Sequence, residues 1–258
     1  MTPRPVITLL TDFGSRDPYV GMMKGVIAGI CPEANVIDVT HEVPPQDVRV
    51  GAFFLERAAR YFPPGTVHVA VVDPGVGTTR APIALEAAGQ FFVGPDNGLL
   101  CLAAARYRAV RLEDRRFFLP RVSTTFHGRD VFAPVAARIA QGEELKQFGP
   151  SLRRIVKIPW PRPRRGKRAI AGEIVAIDRF GNLITNLEPA DWRSLGRPRL
   201  SAGAFSATKL CATYASVPKG QLAFVVGGYG LIEIAAREAS AEAKLGLRVG
   251  DPVRLRGA

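Results

Sequence analysis

The sequence predicts an N-terminal α/β domain with a mainly parallel sheet, followed by a smaller C-terminal all-β barrel domain. Three observations predict it. Strand-like and helix-like patterns alternate up to about residue 145, as they do in an α/β layer. A stretch rich in Pro and Arg then breaks the apolar periodicity. Beyond it, short apolar runs punctuated by Gly and Pro give the pattern of a small barrel or sandwich. The boundaries drawn from this are 1–150 for the first domain, 151–167 for a linker and 168–258 for the second domain.

Pro5 to Thr11 is an apolar run that ends in Asp12, the pattern of a buried strand with a polar residue at its carboxyl end. Tyr19 to Ile30 carries Val20, Met23, Ile27 and Ile30 at helical spacing and stops at Cys31-Pro32. Asn35 to Thr40 is a short strand, and Val48 to Tyr61 a second helix with Phe53, Phe54 and Leu55 toward the core. Thr66 to Val72 is β-branched and ends in Asp73. Ile83 to Leu85 and Phe91 to Val93 read as further strands, and Asp130 to Ala140 as a helix. In the second domain the strand-like runs are Ile170 to Ile177, Leu183 to Thr185, Leu222 to Val226, Leu231 to Ala235 and Pro252 to Leu255.

A chain of 258 residues buries a sizeable core without disulfides or a structural metal. Its 47% hydrophobic and 22% charged residues argue against disorder, and no apolar run approaches a membrane span. The apolar stretch near the N-terminus is short and lacks a cleavage site, so no signal peptide is expected. Cys31, Cys101 and Cys211 are odd in number and far apart, which excludes a disulfide framework and a zinc ribbon and points to the reducing cytoplasm. The net charge of +12 allows a nucleic-acid surface or simply a solvated basic one. The one dense basic run, Pro161 to Arg168, has no interleaved aromatics and no helical phase, so no nucleic-acid partner is expected.

In open α/β sheets, ligands bind outside the carboxyl ends of the strands. Three apolar runs here lead into Asp12, Asp73 and Asp96. Any one of these is ordinary turn chemistry. The familiar alternatives are absent: there is no G-x-G-x-x-G behind the first strand, no P-loop and no G-x-S-x-G elbow. His41, His68 and His127 are the only histidines, and none is paired at helical zinc spacing. What remains is a series of Gly-rich polar turns: Thr11 to Gly14, Asp73 to Arg80, Pro95 to Gly98, Ser123 to Asp130, Asp178 to Asn186 and Gly227 to Gly230.

The ordered set TDFG, DPGVGTTR, PDNG, TFHGRD and DRFGNLITN resembles the S-adenosylmethionine hydroxide adenosyltransferases, the adenosine-forming S-adenosylmethionine hydrolases related to fluorinase and chlorinase. The resemblance runs from the first turn to the LGLRVGD segment at 245–251. It implies an α/β domain followed by a β-barrel domain. It implies a homotrimer whose substrate lies between the large domain of one subunit and the small domain of the next. The implied reaction replaces methionine by water at C5′ of the adenosyl group. The family's catalytic Asp, Arg and His fall on Asp73, Arg80 and His127. The halogenating relatives carry Tyr where this chain has Asp73 and His127, which argues for water rather than halide as the nucleophile. By the same carry-over Asp12 accepts both ribose hydroxyls, Phe126 packs near the reacting carbon, Asp178 faces the methionine ammonium and Asn182 the adenine edge. Glu233 either meets the amino group or is an exposed strand residue. Relatives often have a Ser-containing turn at Gly227 to Gly230, so Gly228 offers no hydroxyl to the methionine carboxylate, and backbone amides around Gly228 and Tyr229 are the alternative.

The chemistry fits these residue types. A sulfonium departs as a neutral thioether and requires no general acid, metal or cofactor. Water is the weak partner and has to be oriented in line with the breaking bond. Arg80 can stabilise hydroxide character, and His127 can accept a proton, with Asp73 orienting either the imidazole or the guanidinium. Two other functions stay open at this level: halide-dependent adenosyl transfer, and binding of S-adenosylmethionine or adenosine without turnover.

Overall fold

The computed structural model describes residues 4–257. The chain divides between Ile158 and Pro159 into two compact units. In the first, the elements are β1 (Val6–Thr11), α1 (Tyr19–Ile30), β2 (Asn35–Thr40), α2 (Val48–Ala59), β3 (Val67–Val71), β4 (Pro82–Ala87), β5 (Gln90–Pro95), β6 (Arg108–Arg111), α3 (Ala133–Ala140) and β7 (Ser151–Leu152). They form one sheet of order β2-β1-β3-β5-β4-β6-β7.

Strands β2, β1, β3 and β5 run parallel to one another, whereas β5–β4, β4–β6 and β6–β7 are antiparallel pairs. The sheet is therefore mixed, not mainly parallel as the sequence pattern suggested. The reason is local. β4 and β5 are joined by Ala88 and Gly89 alone, both with positive φ (51° and 76°). A link of this length closes a hairpin, whereas a parallel crossover needs a dozen residues or more.

Alternation along the strands divides the core in two. Ile7, Leu9, Val67 and Val69 pack with Met23 and Ile27 of α1 and Val135 and Ile139 of α3. Leu10, Ala70, Ile83 and Leu85 face the other way, onto Val50 and Leu55 of α2. Every residue of β3 is buried, as expected for a strand covered on both faces. Asp47 starts α2 by accepting the Val50 amide at 2.9 Å. A π-helical stretch, Gly128–Phe132, leads into α3.

The second unit contains β8 (Arg164–Arg165), β9 (Ala169–Ile177), β10 (Leu183–Thr185), α4 (Pro189–Arg193), β11 (Arg199–Ala202), β12 (Phe205–Ala207), β13 (Leu210–Cys211), β14 (Leu222–Val226), β15 (Ile232–Ala236), α5 (Ala241–Leu245) and β16 (Pro252–Arg256). The sheet order is β12-β11-β16-β9-β10-β15-β14-β13, with β8 added on β9. Its first and last strands, β12 and β13, are separated in sequence only by Thr208 and Lys209, so the sheet has to curl until its edges meet. Phe205 of β12 and Phe224 of β14 close the seam with ring centroids 4.8 Å apart. This nearly closed barrel is not all β, because α4 and α5 interrupt it. The α4 turn forms because Glu188 and Asp191 make a reciprocal capping box, and buried Asp191 also accepts Arg165 Nε at 2.6 Å. Part of the basic run is thus structural. Among the described residues no helix is long and apolar enough to cross a membrane.

Candidate active site

β1 and β3 are parallel neighbours, with Thr11 opposite Val71. The chain leaves both strands at the same end of the sheet, so Asp12 and Asp73 emerge side by side. Asp12 Oδ2 accepts the backbone amide of Gln46 at 2.7 Å, which leaves its other oxygen for a ligand.

After Asp73 the chain folds back on itself. The Val76 amide bonds to the Asp73 carbonyl at 3.2 Å, and the Thr78 hydroxyl donates to the Gly75 carbonyl at 2.7 Å. Gly77 lies at φ +77°, and a Cβ there would stand 2.7 Å from the Thr124 carbonyl oxygen, so the close approach requires glycine. The turn returns Arg80 to Asp73. Its Nε donates to Oδ1 at 3.0 Å and its Nη2 donates to Oδ2. The same Nη2 donates to His127 Nδ1 at 2.8 Å. The Asp73 and Arg80 side chains are only 5% and 9% exposed, so the pair is little screened by solvent.

A guanidinium only donates, so His127 Nδ1 is an acceptor and the ring hydrogen sits on Nε2. Burial lowers the His127 pKa, the Arg80 charge lowers it further, and Asp73 and Asp130 oppose them without prevailing. Asp73 meets the guanidinium, and the guanidinium in turn meets the imidazole. Arg80 Cζ also lies 5.5 Å from the centre of the Phe132 ring.

Phe126 is packed edge-to-face on Tyr19 (5.2 Å) and Phe13 (5.9 Å). From outside, Arg129 Cζ lies 4.9 Å from its ring centre. Arg129 is held by Asp130, which is fully buried and also accepts the Ser123 amide at 2.8 Å. The cleft bounded by Asp12, Phe13, Gln46, Asp73, Phe126 and His127 has a volume of about 350 Å³, the lower end of the range for small-molecule sites. Arg80 does not line it.

In the second unit, Asp178 closes the turn between β9 and β10. Its Oδ1 accepts the amides of Phe180 and Asn182, both at 2.9 Å, and its Oδ2 accepts Asn182 Nδ2 at 2.9 Å. A Cβ at Gly181 would collide with Ser240. Glu233 is not an exposed strand residue: it is 3% exposed, on β15. Its Oε1 accepts the Tyr214 hydroxyl at 2.6 Å, and its other oxygen occupies the space a side chain on Gly227 would need. Burial raises the Glu233 pKa and the Asp178 charge adds to this; the Tyr214 hydrogen bond opposes both. Burial also raises the Tyr229 pKa, with Asp178 and Glu233 contributing. A cavity of about 580 Å³ opens beside Asp178, Phe180, Asn182 and Tyr214. Gly228 has open space where a side chain would be. Among the described residues no group of three or more His, Cys, Asp or Glu side chains is placed to hold a metal ion.

Sequence reasoning missed Gln46, Tyr214 and Arg129. Gln46 acts through its backbone, in the positive-φ turn that follows Pro44 and Pro45. Tyr214 sits in a segment with no periodic pattern. Arg129 lies in the same turn as His127, and an arginine beside a buried Asp130 has no signature of its own in the sequence.

The first unit is thus an α/β ligand site built outside the carboxyl ends of neighbouring strands, with an acidic pocket in the β unit. The chain belongs to the S-adenosylmethionine hydroxide adenosyltransferase family: residues 7–149 match the model of its N-terminal domain and residues 172–254 that of its C-terminal domain. It is 42% identical over 266 aligned residues to a protein of Salinispora tropica named (R)-S-adenosyl-L-methionine hydrolase, covering 99% of both chains. A protein of the same name from Thermus thermophilus is 40% identical, covering 98% of this chain and 99% of that one. The crystal structure of an uncharacterized conserved protein from Thermotoga maritima superposes with a TM-score of 0.90 at 36% identity, covering 97% of this chain and 99% of that one. A fluorinase of an Actinoplanes species is more distant, 29% identical over 74% of each chain.

Proposed function

We propose that the protein hydrolyses the (R)-sulfonium epimer of S-adenosyl-L-methionine to adenosine and L-methionine. The observation that carries this is that Asp73 and His127 stand in the wall of the cleft with Arg80 bonded to both behind them, in a chain that is similar over its full length to proteins named for that reaction.

The residues divide the work as follows. Asp12 accepts the ribose hydroxyls and Phe126 packs near the reacting carbon. A water beside Asp73 attacks C5′ as the C–S bond breaks, and the bonding pair leaves with sulfur as a neutral thioether. The water oxygen gains oxonium character as its bond to carbon forms, so even a weak base suffices to take its proton. Asp73 is that base, because His127 Nδ1 is occupied by Arg80 while the Asp73 oxygens each keep a lone pair beyond their bond to Arg80. His127 holds the water through Nε2–H. A positioned base contributes roughly 10²–10⁴-fold. Asp178 and Glu233 take the methionine ammonium, Asn182 the adenine edge, and the backbone at Gly228 and Tyr229 the carboxylate. Membership of the family supports a homotrimer with the site at the subunit interface. The unpaired cysteines support a cytoplasmic setting.

The test is a chromatographic assay in EDTA with each sulfonium epimer, with and without chloride. Adenosine and methionine released together, faster from the (R) epimer, are expected. A 5′-chloro product, or binding without turnover, would overturn the reading.

A further inference from the structure

His41 stands outside the cleft, yet it brackets the residue that reaches into it. It follows β2 directly, and its side chain is 10% exposed. Its Nδ1 lies 2.9 Å from the hydroxyl of Thr11, the last residue of β1. Its own carbonyl accepts the Gly14 amide at 2.8 Å. The tripeptide Asp12-Phe13-Gly14 is therefore gripped by one residue at both ends.

The Thr11 oxygen accepts the Phe13 amide at 3.2 Å and still has a lone pair and its own proton for the bond to His41 Nδ1. His41 Nε2 lies 3.0 Å from Asp38 Oδ1. Asp38 is anchored in turn by Lys24 of α1 at 2.6 Å. Lys24 and His41 hold its carboxyl below the usual range despite the burial that raises it. The chain of contacts runs from α1 through β2 to the end of β1.

We propose that His41 is a positioning residue that sets the reach of Asp12 toward the ribose diol, through the Thr11 hydroxyl and the Gly14 amide. The proposal rests on the reading of Asp12 as the acceptor of both hydroxyls. It predicts an effect on one part of the ligand only: loss of the ring contact weakens selection for the diol and leaves the rest of the nucleoside's binding in place.

The experiment measures calorimetric affinities of adenosine and of 2′,3′-dideoxyadenosine for the full chain and three variants. The full chain prefers adenosine by about tenfold or more, as hydrogen bonds to a charged group require. His41→Leu cuts that preference at least about fivefold. His41→Asn, whose amide oxygen stands near the place of Nδ1, keeps it within about twofold. Thr11→Val removes the hydroxyl but keeps the side-chain shape, and it decides the matter if His41→Leu fails to fold. In turnover, KM rises in His41→Leu and Thr11→Val while kcat stays within about threefold. Equal weakening of both nucleosides, or an unchanged preference in both variants, overturns the proposal and leaves the reading of Asp12 intact. No preference in the unaltered protein overturns that reading and the proposal with it.

Discussion

Arg80 Nη2 lies 2.8 Å from His127 Nδ1 while the same guanidinium is forked on Asp73. One side chain therefore sets the tautomer of the histidine and the orientation of the carboxylate together. The three residues act as a unit, and changes in them are expected to be strongly non-additive.

Arg80→Lys keeps the charge and loses the fork. An ammonium is a point charge that cannot hold Asp73 in two places and reach His127 in the same geometry. Turnover is expected to fall by about a hundredfold or more, with substrate affinity changed far less. Single-turnover product formation and calorimetric binding would check this. A variant as fast as the parent would remove the fork from the mechanism.

Asp73→Asn conserves shape and removes the base. Adenosine formation is expected to drop by roughly 10²–10⁴-fold. Added chloride is expected not to restore turnover, and no 5′-chloro nucleoside should form. Chromatography of the products decides it.

Tyr214→Phe removes the hydroxyl that steadies the Glu233 carboxylate. Burial and Asp178 already raise the Glu233 pKa, and the lost hydrogen bond was the opposing influence. The pKa therefore rises further in the variant, and Glu233 protonates at a higher pH. Substrate KM is expected to climb on the acid side of its profile sooner than in the parent, with kcat nearly unchanged. Coincident KM profiles would show that Glu233 does not meet the substrate.

Gly77→Ala places a Cβ 2.7 Å from the Thr124 carbonyl oxygen at φ +77°. A loss of about 1–3 kcal/mol is expected from the strained backbone alone. Because this turn carries Arg80, activity should fall by more than the loss of folded protein explains. Denaturant unfolding measured beside specific activity separates the two effects.

His68 gives a pH signature unrelated to the site. It is 1% exposed, with Nδ1 2.7 Å from the Thr8 hydroxyl and its ring against Phe62 and Phe92. Burial lowers its pKa from 6.5 to about 4. Between these values the unfolded chain binds a proton that the folded chain refuses, so stability falls as pH drops through that window. The contribution, about 3 kcal/mol, is fully present above the unfolded value and gone below the folded one. In His68→Asn the parent's stability advantage should shrink by about 3 kcal/mol between pH 7 and pH 4. Parallel unfolding curves from pH 7 to pH 4 would rule the mechanism out.

The local elements of the first unit were readable in the sequence because each depends on neighbours a few residues away. The helical spacing of Met23 and Ile27, the β-branched run at Val67 to Val71 and the Asp after each strand end are features of this kind. The ordered glycine turns carried the family resemblance, since a turn's φ requirements restrict its residues directly. The direction of β4 was not read, although the two residues between its end and β5 held the answer. Strands such as Leu210–Cys211 and Arg164–Arg165 have no pattern of their own and exist because longer strands offer them an edge. The site divides the same way. The family resemblance carried by the sequence pointed to Asp73, Arg80 and His127. Only the tertiary structure decided that Arg80 stands between the other two, that Glu233 is buried beneath Gly227, and that His41 holds the Asp12 loop. Those are contacts between segments far apart in sequence, and no local propensity encodes the distance between two side chains that meet only after the sheet has formed.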